Sequence, residues 1–221
     1  MASRVVFYCG LAFSAIGLIT IGIGVATPNW LEAEAKAGTG FDKLGLWEAC
    51  FTRFTYRYDS TATIFDGCWG ILSRTYSSIR YWLAPAWFVN VQVLATLSML
   101  GQVAVVICLV MIFVGCWSCF SNRPDIEVIS WFVISTVELL TGILAGSGCI
   151  MFATNSSSDH QWLEKPYTNY RSWSFGLVCV SSVAALIAGG LIFIEAVRIR
   201  IRQKKSKTLR RGYEMRPSRR Y

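Results

Sequence analysis

Histidine is nearly absent from this chain: His160 is the only one in 221 residues. No nucleophile and base stand together with a plausible third group, no glycine-rich loop is suited to phosphate, and no cluster of metal ligands is visible. We therefore expect no enzyme, no cofactor and no metal. Acidic residues are also few, 13 against 21 Lys and Arg. No fixed-period repeat occurs, and no internal linker divides the chain, so one domain is expected.

What the chain has in abundance is apolar sequence, 54% of its residues. Four runs reach the roughly 20 residues that cross a bilayer: about 5–27, 89–115, 128–153 and 173–197. They leave outer loops 28–88 and 154–172 and a tail 198–221, so little remains for a separate soluble domain. The first run has an apolar core longer than the 7–15 residues of a signal sequence, and it is read as a retained span.

Charge orients these spans. Loop 28–88 holds six basic and six acidic residues, and loop 154–172 two of each. From Glu195 onward there are eleven basic and two acidic residues, a balance of +9 against +8 for the whole chain. Basic residues stay on the cytoplasmic side, so the tail is expected inside. Four crossings then put the N-terminus inside too. The tail is expected to be disordered and to lean on anionic lipid, at about 1 kcal/mol per basic residue. A nucleic-acid partner is not expected.

The long outer loop carries Trp30, Gly45-Leu46-Trp47, Cys50 and Cys68. Cysteines can be oxidised in an outer compartment, and these two are the only ones in an outer loop. They are expected to bond, closing a loop worth about 3 kcal/mol on the chain-entropy estimate. Phe51–Tyr58, rich in aromatic and β-branched residues, reads as a strand, and Asp66-Gly67 reads as a turn.

This W…GLW…C…C pattern resembles the claudins, within the wider claudin and peripheral-myelin-protein-22 superfamily, and the likeness covers the whole chain. The seventeen residues between Cys50 and Cys68 and the segment Leu83-Ala84-Pro85-Ala86-Trp87-Phe88 most resemble the invertebrate, septate-junction branch. The tail departs from the common Tyr-Val ending, closing on Arg219-Arg220-Tyr221. The resemblance implies a membrane protein, mainly α, in which a left-handed bundle of four transmembrane helices is capped by a small extracellular antiparallel β-sheet. It implies a structural protein of lateral cell-cell junctions, tight or septate, in the plasma membrane. Its partners would be itself or paralogous claudins, in cis and in trans, with other junction membrane proteins. Trp30, Gly45, Leu46, Trp47 and the Cys50–Cys68 pair match the structural signature, the tryptophans anchoring the sheet near the interface. Selectivity in the family depends on charge near the second cysteine. Here Asp66 and Trp69 hold those positions in a loop of zero net charge, which favours a barrier. The alternative within the superfamily is an auxiliary channel subunit, similar to the calcium-channel gamma type.

Other residues carry narrower expectations. Glu138 is the one acid deep in a span, where an ionised carboxylate costs about 3 kcal/mol or more. It is read as protonated and hydrogen-bonded to a neighbouring helix, since no chain of titratable partners surrounds it. Gly142-x-x-x-Gly146, Ala185-x-x-x-Gly189 and the small residues Gly10, Ser14, Gly17, Gly22 and Gly24 are read as packing surfaces. Cys116 and Cys119, at the cytoplasmic edge, are candidates for S-acylation. His160 lies across the membrane from them. Asn155-Ser156-Ser157 is a glycosylation sequon close against the third span.

Overall fold

The computed structural model describes residues 2–34, 40–58, 63–114, 124–159, 162–163 and 169–214. Cys116, Cys119 and His160 lie outside them. The elements run α1 (Ala2–Ala26), β1 (Leu31–Ala33), β2 (Phe41–Leu44), β3 (Glu48–Thr55), β4 (Ile64–Gly70), α2 (Arg80–Leu83), α3 (Ala86–Phe113), α4 (Pro124–Ser158), β5 (Asn169–Arg171) and α5 (Trp173–Glu214). Helices α1, α3, α4 and α5 are each long and apolar enough to cross a membrane. A helix satisfies its own backbone polar groups, which hydrocarbon cannot do. Pro124 opens α4 at the position where a missing N–H costs nothing.

Helix α5 packs along α1 and α4, while α3 packs on α4 and on α1, so the four close into a ring. Close approach comes from small residues, because lipid offers no hydrophobic drive for helix association. The α4–α5 contact is reciprocal: Leu186 lies where a Cβ on Gly142 would fall, 2.8 Å away, and Leu139 lies 2.7 Å from the same point on Gly189. Gly24 is pressed against Val178 and Gly10 against Ile192, as small packing residues should be, whereas Gly22 has nothing within 4 Å. Gly22 is thus not part of a packing surface.

Above the helices sits one antiparallel sheet of five strands in the order β4-β3-β2-β1-β5. Its inner face and the outer halves of the helices share one apolar core, including Trp30, Leu44, Phe51, Phe65, Phe88 and Phe152. A second cluster, including Leu109, Trp131 and Ile192, fills the other end of the bundle.

Three local expectations are corrected. The strand expected over 51–58 runs instead over Glu48–Thr55, because it pairs along its length with β4 and leaves Tyr56–Tyr58 beyond the last rung. Asp66-Gly67 is not a turn but lies inside β4, where Phe51 pairs with Gly67 and Phe54 with Phe65. Thr52 and Arg53 therefore face the single residue Asp66, as in a β-bulge. Gly67 has φ +87° and Arg53 φ +49°, so the glycine supplies conformational freedom to a bent strand. The tail expected to be disordered from 198 continues α5 as helix to Glu214. Arg, Gln and Lys are good helix formers, no proline or glycine interrupts 198–211, and extending an existing helix avoids the cost of nucleation.

Candidate functional site

The outer module is assembled around its tryptophans and cysteines. Cys50 and Cys68 are directly opposite on β3 and β4 and form a disulfide, with Cα atoms 4.0 Å apart. Glu48 lies beside them, but both sulfurs are consumed by the bond, which leaves one carboxylate and no metal-binding set there. Among the other described cysteines, Cys9, Cys108, Cys149 and Cys179 are free thiols.

Gly45 is where chain meets chain. A Cβ added there would fall 2.5 Å from Pro28 Cα and 2.6 Å from the Thr27 carbonyl oxygen. Only a residue without a side chain lets the β2–β3 turn lie on the α1–β1 connection. Leu46 is buried, and its carbonyl accepts a hydrogen bond from Gln92 Nε2 on α3. Trp47 stays 40% exposed at the foot of the sheet, where an amphipathic ring suits the membrane interface. Trp30 departs from that expectation. It is 1% exposed, packed edge-on against Phe152 and Phe175, with its indole N–H donated to the Gly24 carbonyl at 2.6 Å. It is a core residue joining the sheet to α1, α4 and α5.

Several residues that sequence reasoning passed over complete the module. Tyr76 is fully buried and donates its hydroxyl to the Ala49 carbonyl at 2.9 Å, fastening the segment after β4 to the sheet. Burial pushes its pKa up to about 12. Trp162, in the second loop, donates to the Leu83 carbonyl and packs against Trp87. Trp87 in turn donates to Asp159. Glu32 on β1 accepts from Asn29, from the Tyr170 hydroxyl and from Ser172, tying both outer loops together. The Asn29 amide foremost, with Tyr170 and Ser172, holds the Glu32 carboxyl below its usual pKa, against the opposing effect of burial. A tryptophan or tyrosine isolated in a polar loop was the available signal for Tyr76 and Trp162; the link Glu32 makes between the loops offered none, since Tyr170 and Ser172 lie 138 and 140 residues away and only Asn29 is a sequence neighbour.

The residues named for selectivity sit on β4, an edge strand exposed at every position except Phe65. Trp69 is 49% exposed, and its indole N–H bonds the Asp66 carbonyl at 3.0 Å. The Asp66 side chain accepts the Arg53 amide across the bulge. Asp66 and Trp69 therefore form one surface feature, distinct from the buried signature residues. At the far end of the hairpin Ile64 is 65% and Tyr58 78% exposed.

Glu138 lies deep in the bundle, fully buried. Its Oε1 accepts from Ser14 of α1 at 2.6 Å and from Gln102 of α3 at 2.9 Å. Thr141 returns a bond to Gln102 Oε1, so α1, α3 and α4 meet in one polar knot. Oε2 has no hydrogen-bond partner among the described residues. Asn155 is within α4, and the nitrogen a glycan would occupy donates to the Met151 carbonyl.

Four apolar helices under a disulfide-closed outer sheet define an integral membrane protein of the tetraspan kind. The family profile described as PMP-22/EMP/MP20/Claudin tight junction matches residues 15–194, and the chain belongs to that family. A comparison with curated protein sequences gave no match.

Proposed function

We propose that this chain is a structural protein of lateral cell-cell junctions that assembles through its outer loops, with itself or with paralogous claudins in cis and in trans, into a paracellular barrier. Membership of the family supports a junction-type membrane protein in general. One observation carries the finer reading: the apolar side chains left uncovered at the far end of the sheet. Ile64 stands about 20 Å along β4 from the membrane end at Gly70, taking roughly 3.3 Å per residue, and Tyr58 lies past the end of β3 at Thr55. Lipid covers Trp47 and Leu72 at the foot but does not reach them. Ile64 and Tyr58 are the apolar surface that a second copy or a paralogous claudin would bury at this tip.

The zero net charge of both outer loops supports a barrier over an ion-selective path, because no net field is present to discriminate ions. Asp66 and Trp69 are the surface residues we assign to the paracellular face. Trp30, Gly45, Leu46, Trp47 and the Cys50–Cys68 bond are scaffold. Both termini lie inside the cell, and the basic end of α5 contacts anionic lipid. Removing the protein from an epithelium that expresses it should raise tracer leakage between cells, with the protein itself staining as continuous lateral belts. Unchanged leakage, with staining in synaptic or muscle clusters, would favour the channel-subunit reading.

A further inference from the structure

We infer that the cytoplasmic ends of α4 and α5 form a specific site for an anionic phospholipid, its phosphate held by Arg200, Lys204 and Lys207 and its chain lying on Val128, Ile129 and Phe132. These six residues, with Gln203, line one groove of about 420 Å³, within the size range of small-ligand sites. The inference rests on the proposed placement of the α5 end inside the cell.

The geometry separates the two halves of such a ligand. Positions 200, 203, 204 and 207 recur at the i, i+3, i+4 and i+7 spacing that puts side chains on one helical face. Opposite them α4 offers hydrocarbon: Ile129 is 61% exposed, and Phe132 is fixed edge-on against Phe193 of α5. Gln203 donates to Glu127 at 3.3 Å, holding the two helices together along the groove. Among the described residues the groove's three cations meet one carboxylate, Glu127, a positive balance that phosphate would complement. Ile129 and Phe132 belong to the apolar span Ile126–Ser158, so a membrane phospholipid can lay its chain on them while its headgroup meets the cations, which a free phosphate cannot do. Arg202 and Lys205 carry the same charge but lie on the opposite face of α5, about 140–200° around the helix at 3.6 residues per turn.

That second face makes the site testable. Full-length protein in phosphatidylcholine nanodiscs, with and without phosphatidylinositol bisphosphate, would be analysed by native mass spectrometry for retained lipid. Lys204→Gln with Lys207→Gln should lower retention roughly thirtyfold, the worth of two juxtamembrane cations. Arg202→Gln with Lys205→Gln should lower it by no more than one cation's worth, under about fivefold. All four positions are exposed, and equal thermal unfolding of the two double variants would confirm that retention reports binding and not folding. The water-soluble inositol bisphosphate headgroup should bind far more weakly than the lipid. Equal losses in the two pairs would reduce the site to general surface attraction, and equal binding of the soluble headgroup would remove the acyl chain from it; either overturns the inference. A barrier that persists when binding is lost would leave the proposed function standing.

Discussion

A series of glycine-to-alanine changes tests whether the outer sheet is held by close backbone approach. At Gly45 the obstructing atoms, Pro28 Cα at 2.5 Å and Thr27 O at 2.6 Å, are both backbone, so no rotamer change relieves the overlap. The turn must lift from the end of α1, loosening Leu46 from Gln92 and the adjoining Trp30 contacts. Gly45→Ala should cost about 3 kcal/mol, the upper range for overpacking. Gly189→Ala meets the Leu139 side chain at 2.7 Å with its backbone nitrogen behind at 3.1 Å; partial relief should bring the cost to about 2 kcal/mol. Gly22→Ala meets nothing within 4 Å and should stabilise α1 by up to about 1 kcal/mol, the helix-propensity gain. Thermal unfolding in detergent, followed together with labelling of the free, buried Cys149 thiol as it becomes exposed, would rank the three. Stability unchanged in Gly45→Ala, or as much lost in Gly22→Ala, would refute the reasoning.

Three further predictions concern covalent, buried and titratable groups. Non-reducing mass spectrometry should find Cys50 joined to Cys68, and Cys50→Ser should lose about 3 kcal/mol of loop-closure stability, leaving membrane insertion intact while junctional assembly fails; either cysteine found free in the native protein would contradict this. Glu138→Gln should be nearly silent for expression and barrier, because an amide oxygen can still accept from Ser14 and Gln102, whereas Glu138→Leu strands both donors at about 1–3 kcal/mol; a barrier that titrates with pH in the native protein and not in the Gln variant would sink the packing role. Because the Glu32 pKa is lowered in the folded protein, its stabilisation is present above the ordinary carboxylate value of 4.5 and is lost as pH falls through the folded value. The protection of the β1 and β5 amides, measured relative to their intrinsic exchange rates at each pH, should therefore fall on acidification more steeply in the native protein than in Glu32→Gln, and equal slopes would show that Glu32 does not couple the loops.

What was legible in the sequence was what depends on local composition. Apolar runs of membrane length, the outer placement of Cys50 and Cys68, and the W…GLW…C…C pattern all point to the fold and family. What escaped depends on partners far away in the chain. Asp66-Gly67 has the composition of a turn, yet the pairing of Gly67 with Phe51 and of Phe65 with Phe54 makes it part of a bulged strand. Trp30 has the amphipathic ring of an interfacial residue, but Phe152 and Phe175, more than 120 positions later, enclose it. β5 is three residues long, too short for any periodicity, and exists because β1 offers it an edge. The continuation of α5 was hidden by its charge, which suggests solvation but does not prevent helix formation. Glu138 was visible as an anomaly, while its contacts with Ser14 and Gln102 required the packing of three helices.

The central claim, that a neutral outer surface forms a barrier, is tested most directly by dilution potentials across leaky epithelial cells expressing the protein or its Trp69→Asp variant. The native protein should reduce cation and anion passage alike, and the added carboxylate beside Asp66 should shift the balance toward cations, since a fixed charge in a narrow path attracts counter-ions. A strong native preference for either sign would contradict the barrier, and a correctly localised Trp69→Asp protein with unaltered selectivity would remove this face from the paracellular path.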